Sequence, residues 1–238
     1  MEPLAKAAGC LTMRVNADFS QRAVVTPQQY VWVPSPQAGV ERVMLDRIGT
    51  EKARATSIVR YDAASDFPAH SHPGGEEILV LSGTFSADGH DYPAGWYLRN
   101  PPGSSHRPSS RDGATIFVKL MQMSASQDAV VRVDTRDAGN WQTHAGRGVC
   151  PLFSDEHERV ELIRLPANAP FAATRPSIQA CIVELFVLDG TLRLDSDVLT
   201  TGSWVRLPPN DGATLSAGDE GVAVYCKAYV PGPIPSGK

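Results

Sequence analysis

At 238 residues the chain can bury one large hydrophobic core or two ordinary ones, and the usual domain of about 100 to 150 residues favours two. Its formal charge of −4 and pI of 5.9 come without a basic run, which excludes the electrostatic footprint of a nucleic-acid or anionic-membrane binder and leaves a small or neutral partner. Four cysteines, Cys10, Cys150, Cys181 and Cys226, lack CxxC spacing, so they read as buried thiols of a reducing compartment and not as a disulfide frame or a cysteine zinc site.

The first residues, MEPLAKAAGCLTMRVNADFSQRA, hold no apolar run of signal-peptide length, and no segment approaches the roughly 18 apolar residues that span a bilayer. A soluble, cytoplasmic protein is expected. Along the chain come RATSIVRY, EEILVLSG, ATIFVKL, RVELIRL, CIVELFVL and VAVYCKAYV, short β-branched and apolar runs bounded by Gly, Pro, Asp or Asn. No stretch keeps a 3.6-residue period for three turns. These runs predict an all-β protein of sandwich or barrel type, with little helix.

The two halves repeat each other. LSGTF at Gly83 matches LDGTL at Gly190; Gly95 and Gly202 follow at equal spacing, as do Pro101 and Pro208. GWYLRNPP parallels GSWVRLPP, DGATIFVKL parallels EGVAVYCKA, and Phe67 parallels Phe171. The polar stretch MSASQDA, residues 123–129, marks the join, after which VRVDTRDAGNW restarts a pattern that ends at Trp32 in the first copy. The expected division is an N-terminal extension (1–28), a first domain (29–124) and a second (125–238).

The chemistry gathers in HSHPGGEEILVLSG, residues 70–83. On a strand, residues i and i+2 share a face, so His70 and His72 form a ready chelate. Glu76 follows a Pro-Gly-Gly turn that can bring its carboxylate back beside the imidazoles. His106, after the NPPGSS turn, is the candidate fourth ligand. Three imidazoles and a carboxylate suit Zn, Fe(II), Mn, Ni or Cu(II), and do not suit Ca or Mg. Glu77 should point the opposite way from Glu76, into solvent or toward an arginine such as Arg99. His90, His144 and His157 sit in polar turns and read as exposed, Trp96, Tyr97 and Trp204 as covers for the end of a core, and Cys181 as a small buried apolar group.

These residues resemble the two cupin motifs: His70, His72, Glu76 and Gly83 fit the first, and Gly95, Pro101, Gly103 and His106 the second, with Ser110 where the family usually has Asn. Within cupins, HPGGEEILVLSGTFSADG followed by YPAGWYLRNPPGSSH looks like the ChrR type, over residues 30–120. The resemblance implies two tandem cupin domains, each a double-stranded β-helix or jelly roll, with one divalent transition metal per chain on His70, His72, Glu76 and His106. Zinc ranks first, with iron, manganese or nickel as alternatives. In the second copy the matching positions are Ser177, Gln179, Val183 and Ala213, with Glu184 beside them, so that domain is expected to be degenerate and metal-free.

The resemblance also implies a regulatory or sensing role like that of the ChrR anti-sigma factor. Known members grip their sigma factor with a helical N-terminal domain bearing its own His and Cys zinc ligands, whereas residues 1–29 here hold one cysteine and no histidine. Direct sigma-factor binding is therefore not expected. The alternatives are an Fe(II)-dependent dioxygenase acting on a β-diketone or hydroxyacetophenone, and a purely structural zinc site. A small-molecule ligand and a homodimer built on sheet edges are compatible with all three.

Overall fold

The computed structural model describes residues 13–50, 52–144, 146–171 and 181–230. Among them there is no α-helix, only strands and two short 3-10 turns, Pro27–Gln29 and Ala138–Asn140, and no helix long and apolar enough to cross a membrane. Cys10, Ser177 and Gln179 lie outside the described residues.

Each repeat folds as a jelly-roll barrel with the same strand order. The first sheet runs Val40–Ile48, Arg54–Tyr61, Ala114–Leu120, Glu76–Ala87 and Trp96–Asn100. The second runs Arg147–Ser154, Glu158–Leu165, Leu215–Tyr229, Ile182–Leu194 and Trp204–Leu207. Gly83 and Gly190 hold the same place in both. A Cβ on Gly83 would meet the Gly113 carbonyl oxygen at 2.0 Å, and one on Gly190 the Gly221 oxygen at 2.4 Å, so only glycine permits the crossing.

The sheets interleave across the division read from the sequence. Ala23–Val25, inside the supposed extension, pairs antiparallel with Trp204–Arg206 on the edge of the second sheet. Val131–Asp134, beyond the join, pairs with Trp96–Arg99 on the edge of the first. Each repeat thus lends a strand from near its start to the other, and each lent strand leads into a 3-10 turn.

Alternation along the strands sorts most buried side chains into two barrel cores and a layer between them, with a small fourth cluster of Phe19, Ile48, Ile182 and Tyr229. Ile78, Val80, Leu98, Ile116 and Val118 face into the first barrel. Val183, Leu185, Val205, Leu207 and Val224 fill the second. Between the barrels Val43, Leu45, Leu79 and Tyr97 meet Cys150, Leu162, Trp204 and Tyr225, and Phe117 stacks on Phe186 at 4.8 Å. Trp204 and Tyr97, expected to cover the end of a core, are fully buried in this middle layer, while Trp96 is half-buried against the first barrel's core. Cys150, Cys181 and Cys226 are buried thiols, as expected.

The middle layer also holds charge. Glu77 is buried and does not reach solvent; it accepts from Arg99 at 3.2 Å, Lys227 at 2.7 Å and the Tyr225 hydroxyl. Glu158 joins both cations, Lys227 at 2.6 Å. By the repeat, Glu184 answers to Glu77 and Lys119 to Lys227, and Glu184 pairs with Lys119 and accepts from Tyr229 at 2.6 Å. Arg206, the counterpart of Arg99, meets buried Asp46 at 3.3 Å. Each repeat's glutamate is therefore neutralised by the other repeat's lysine. Buried carboxylates survive only with such partners.

Candidate metal centre

The three histidines come together on a two-stranded ribbon. His70–His72 pairs antiparallel with Ser104–His106, placing His106 opposite His70 and Ser104 opposite His72. Two glycine N–H groups pin the ribbon through one carbonyl: Gly75 and Gly103 both donate to the His72 oxygen, at 3.1 and 2.9 Å. The Pro-Gly-Gly turn is tight for a second reason. The segment Met121–Met123 lies across it, and a Cβ on Gly75 would meet Met123 Sδ at 2.3 Å.

Ring nitrogens of His70, His72 and His106 all lie within 4.8 Å of one another, so the cluster could hold a metal ion. His72 Nε2 and His106 Nε2 are 3.0 Å apart, and Glu76 Oε2 is 3.5 Å from each. Donors about 2.0 to 2.2 Å from a common ion, at angles between square and tetrahedral, stand about 3.0 to 3.5 Å apart. His72, His106 and Glu76 stand at the ligand spacing of a first-row divalent cation, and His70 joins them within the wider 4.8 Å of the cluster.

The surroundings suit the same end. Burial, followed by the neighbouring histidines, pulls His72 down to about 3, and burial and His70 pull His106 down to about 4, so both rings favour the neutral form that ligates metals. Burial pushes Glu76 up to about 7, against the opposing pull of Asn100 and Arg132. Asn100 Nδ2 donates to Glu76 Oε2 at 2.9 Å, and Arg132 Nη2 donates to Asn100 Oδ1 at 2.6 Å. Arg132 sits on the lent strand Val131–Asp134. The second repeat's leading strand therefore buttresses the first repeat's glutamate.

One rung of the sheet carries both kinds of chemistry. Glu76 pairs with Asn100 and Glu77 with Arg99 on adjacent strands, so one pair faces the histidines and the next faces the ionic layer. In the second repeat the matching rung is Val183 with Leu207 and Glu184 with Arg206. The ionic half is kept and the ligand half is apolar, filled into the second core. Asn100 and Arg132 were not singled out from the sequence. Asn100 was visible in the first copy as the polar residue replaced by Leu207 in the second, but nothing local marks Arg132.

Ser110, the departure from the cupin pattern, is buried and donates to the Thr84 carbonyl at 2.7 Å, a tie between strands away from the ligands. His90, His144 and His157 are exposed, as expected. Beside the cluster opens a cavity of about 400 Å³, floored by His70, His72 and Glu76 and walled by Val59, Tyr61, Phe67, Ile116 and Val118. Its size and its mostly apolar wall are those of a small-molecule site.

Residues 20–124 match the family described as the ChrR cupin-like domain. No curated protein sequence matches the chain. Among solved structures, a provisionally assigned dioxygenase from Nostoc punctiforme shares 13% identity at a TM-score of 0.71, with 92% of this chain and 86% of that one covered. A provisionally assigned glyoxylate-induced protein from Pseudomonas aeruginosa shares 17% at 0.68, covering 97% and 93%. The bacterial pirin YhhW of Escherichia coli, solved in complex with nickel(II), shares 12% at 0.63, covering 89% and 100%. At these identities the likeness is one of fold.

Proposed function

We propose, from the match of residues 20–124 to the ChrR cupin-like family, that the first repeat is a cupin of that type which holds one divalent transition metal and uses it to bind a small organic molecule in a sensing role. His70, His72, His106 and Glu76 would hold the ion, zinc first. When bound, the metal supplies a Lewis-acidic centre for a ligand oxygen. The chain's own residues do the rest: His72 and His106 present neutral nitrogens, Asn100 and Arg132 aim the Glu76 carboxylate, and Tyr61, Phe67, Ile116 and Val118 exclude water beside it.

The observation that carries this reading is the convergence of three histidines, two of which, His70 and His72, line a cavity of about 400 Å³. A purely structural zinc needs no such space. The same space favours, as a second reading, an Fe(II)-dependent oxygenase of the diketone-cleaving type. Elemental analysis of untagged protein, with oxygen uptake measured on diketones, separates them. One metal per chain with background oxygen uptake is expected, and His72→Ala or His106→Ala should remove nearly all the metal. Rapid iron-dependent turnover would make the oxygenase reading the better one. Two metals per chain, or a His106→Ala variant with its full complement, would refute the ligand assignment.

A further inference from the structure

The strand Val40–Ile48 divides its side chains between two environments. Val43 and Leu45 face the apolar layer between the barrels, whereas Val40 and Arg42 face the cavity above the histidines. Arg42 is paired in register with Val59, another cavity residue, so its guanidinium stem emerges from an apolar wall. Its Nε is buried without a hydrogen-bond partner, and among the described residues no carboxylate forms an ion pair with it. Among the described residues other buried arginines find partners: Arg99 pairs with Glu77 and Glu158, Arg206 pairs with Asp46 although its Nε is also unmet, and Arg47 donates to the Gly49 and Thr50 carbonyls. Lys52 adds a second cation to the cavity lining, and among the described residues the one carboxylate there is Glu76, which the metal reading already assigns. A planar cationic fork with an unmet donor, beside apolar walls, is built for a planar anion.

We propose that this cavity takes a small carboxylic acid with an apolar body, its carboxylate on Arg42 and its body against Val59, Tyr61, Ile116 and Val118, with the far end toward the histidines. The inference deepens the small-molecule reading above and rests on it for the direction in which the ligand lies. Arg42 is a positioning and specificity residue, and the ligand's charge is what it selects.

Calorimetric titration and thermal shift with phenylacetate and its neutral counterpart phenylacetamide test it on the metal-loaded protein. Phenylacetate should bind saturably and raise the melting temperature, with the amide at least about tenfold weaker. Arg42→Gln should lower phenylacetate affinity at least about tenfold, leave the amide unchanged and keep the metal content of the parent. Arg42→Lys should fall between the two. Equal binding of acid and amide, or an Arg42→Gln variant with undiminished phenylacetate affinity, overturns the proposal. Should Arg42→Gln fail to fold, the acid-to-amide ratio in the parent and in Arg42→Lys decides. The two readings fail separately. A protein holding one metal per chain that binds neither probe overturns this inference alone; Arg42-dependent phenylacetate binding by a protein that retains no metal leaves it standing and overturns the metal reading.

Discussion

At Glu76 the local physics reverses the simplest expectation about acid. Free imidazole would compete with a metal through its own proton near pH 6.5. Burial holds His72 and His106 far below that range, while the same burial raises Glu76 to about 7. Below about pH 7 the metal-free carboxyl keeps its proton, and metal must displace it. On Glu76's account affinity should therefore rise toward about pH 7 and level off above. Calorimetry in buffers of different ionisation enthalpy should show Glu76→Gln releasing about one proton fewer than the parent at pH 6. An unchanged release would take the carboxyl out of the competition. The supporting groups are testable too: Arg132→Met should weaken metal binding about 10- to 100-fold with little change in fold. The ligands themselves were legible because their spacing is local. Arg132 was not, since it lies more than twenty residues beyond His106 and reaches Asn100 only through strand pairing.

The strand Glu76–Ala87 shows what alternation can and cannot say. Period two sends Glu76 and Glu77 to opposite faces, and that much the sequence reveals. Which neighbour covers the second face depends on how the repeats dock, and a solvated Glu77 and a buried one have the same local pattern. The arginine was foreseeable from GWYLRNPP; Lys227, from the far end of the chain, was not. Because the lysines are exchanged between repeats, Lys119→Met should leave Glu184 buried and unpaired, costing about 3 to 5 kcal/mol in urea-unfolding free energy. Adding Glu184→Leu should return much of it. A double variant no more stable than Lys119→Met would mean that the charges are not coupled. Acid should act through the same pair. Lys119 and Arg54 outweigh burial and hold Glu184 below the usual carboxylate range. Its share of stability is thus present above about pH 4.5 and lost as pH falls below that value.

On the scale of the whole molecule, the repeat and its β character were plain from paired glycines and short apolar runs. The traffic of strands between repeats was not, because an edge strand carries no mark of which sheet it joins. This bears on where the chain can be cut. A fragment ending at residue 124 lacks the strand that carries Arg132, and one ending near residue 145 retains it. In competition with a chelator, the shorter fragment should hold metal about 10- to 100-fold more weakly than the longer one. Equal affinities would show that the lent strand does not support the site.

The exchange also sets a timetable. Ala23–Val25 leaves the ribosome early, but its pairing partners, Trp204 to Arg206, follow some 180 residues later, about 10 to 40 s at usual elongation rates. Throughout that interval the nascent chain carries an orphan strand whose proper edge does not yet exist. On a crowded polysome the nearest finished edge of that kind belongs to a neighbouring chain further along in synthesis. Strong overexpression should therefore favour dimers joined by traded Ala23–Val25 strands, whereas slow translation should favour the self-closed monomer.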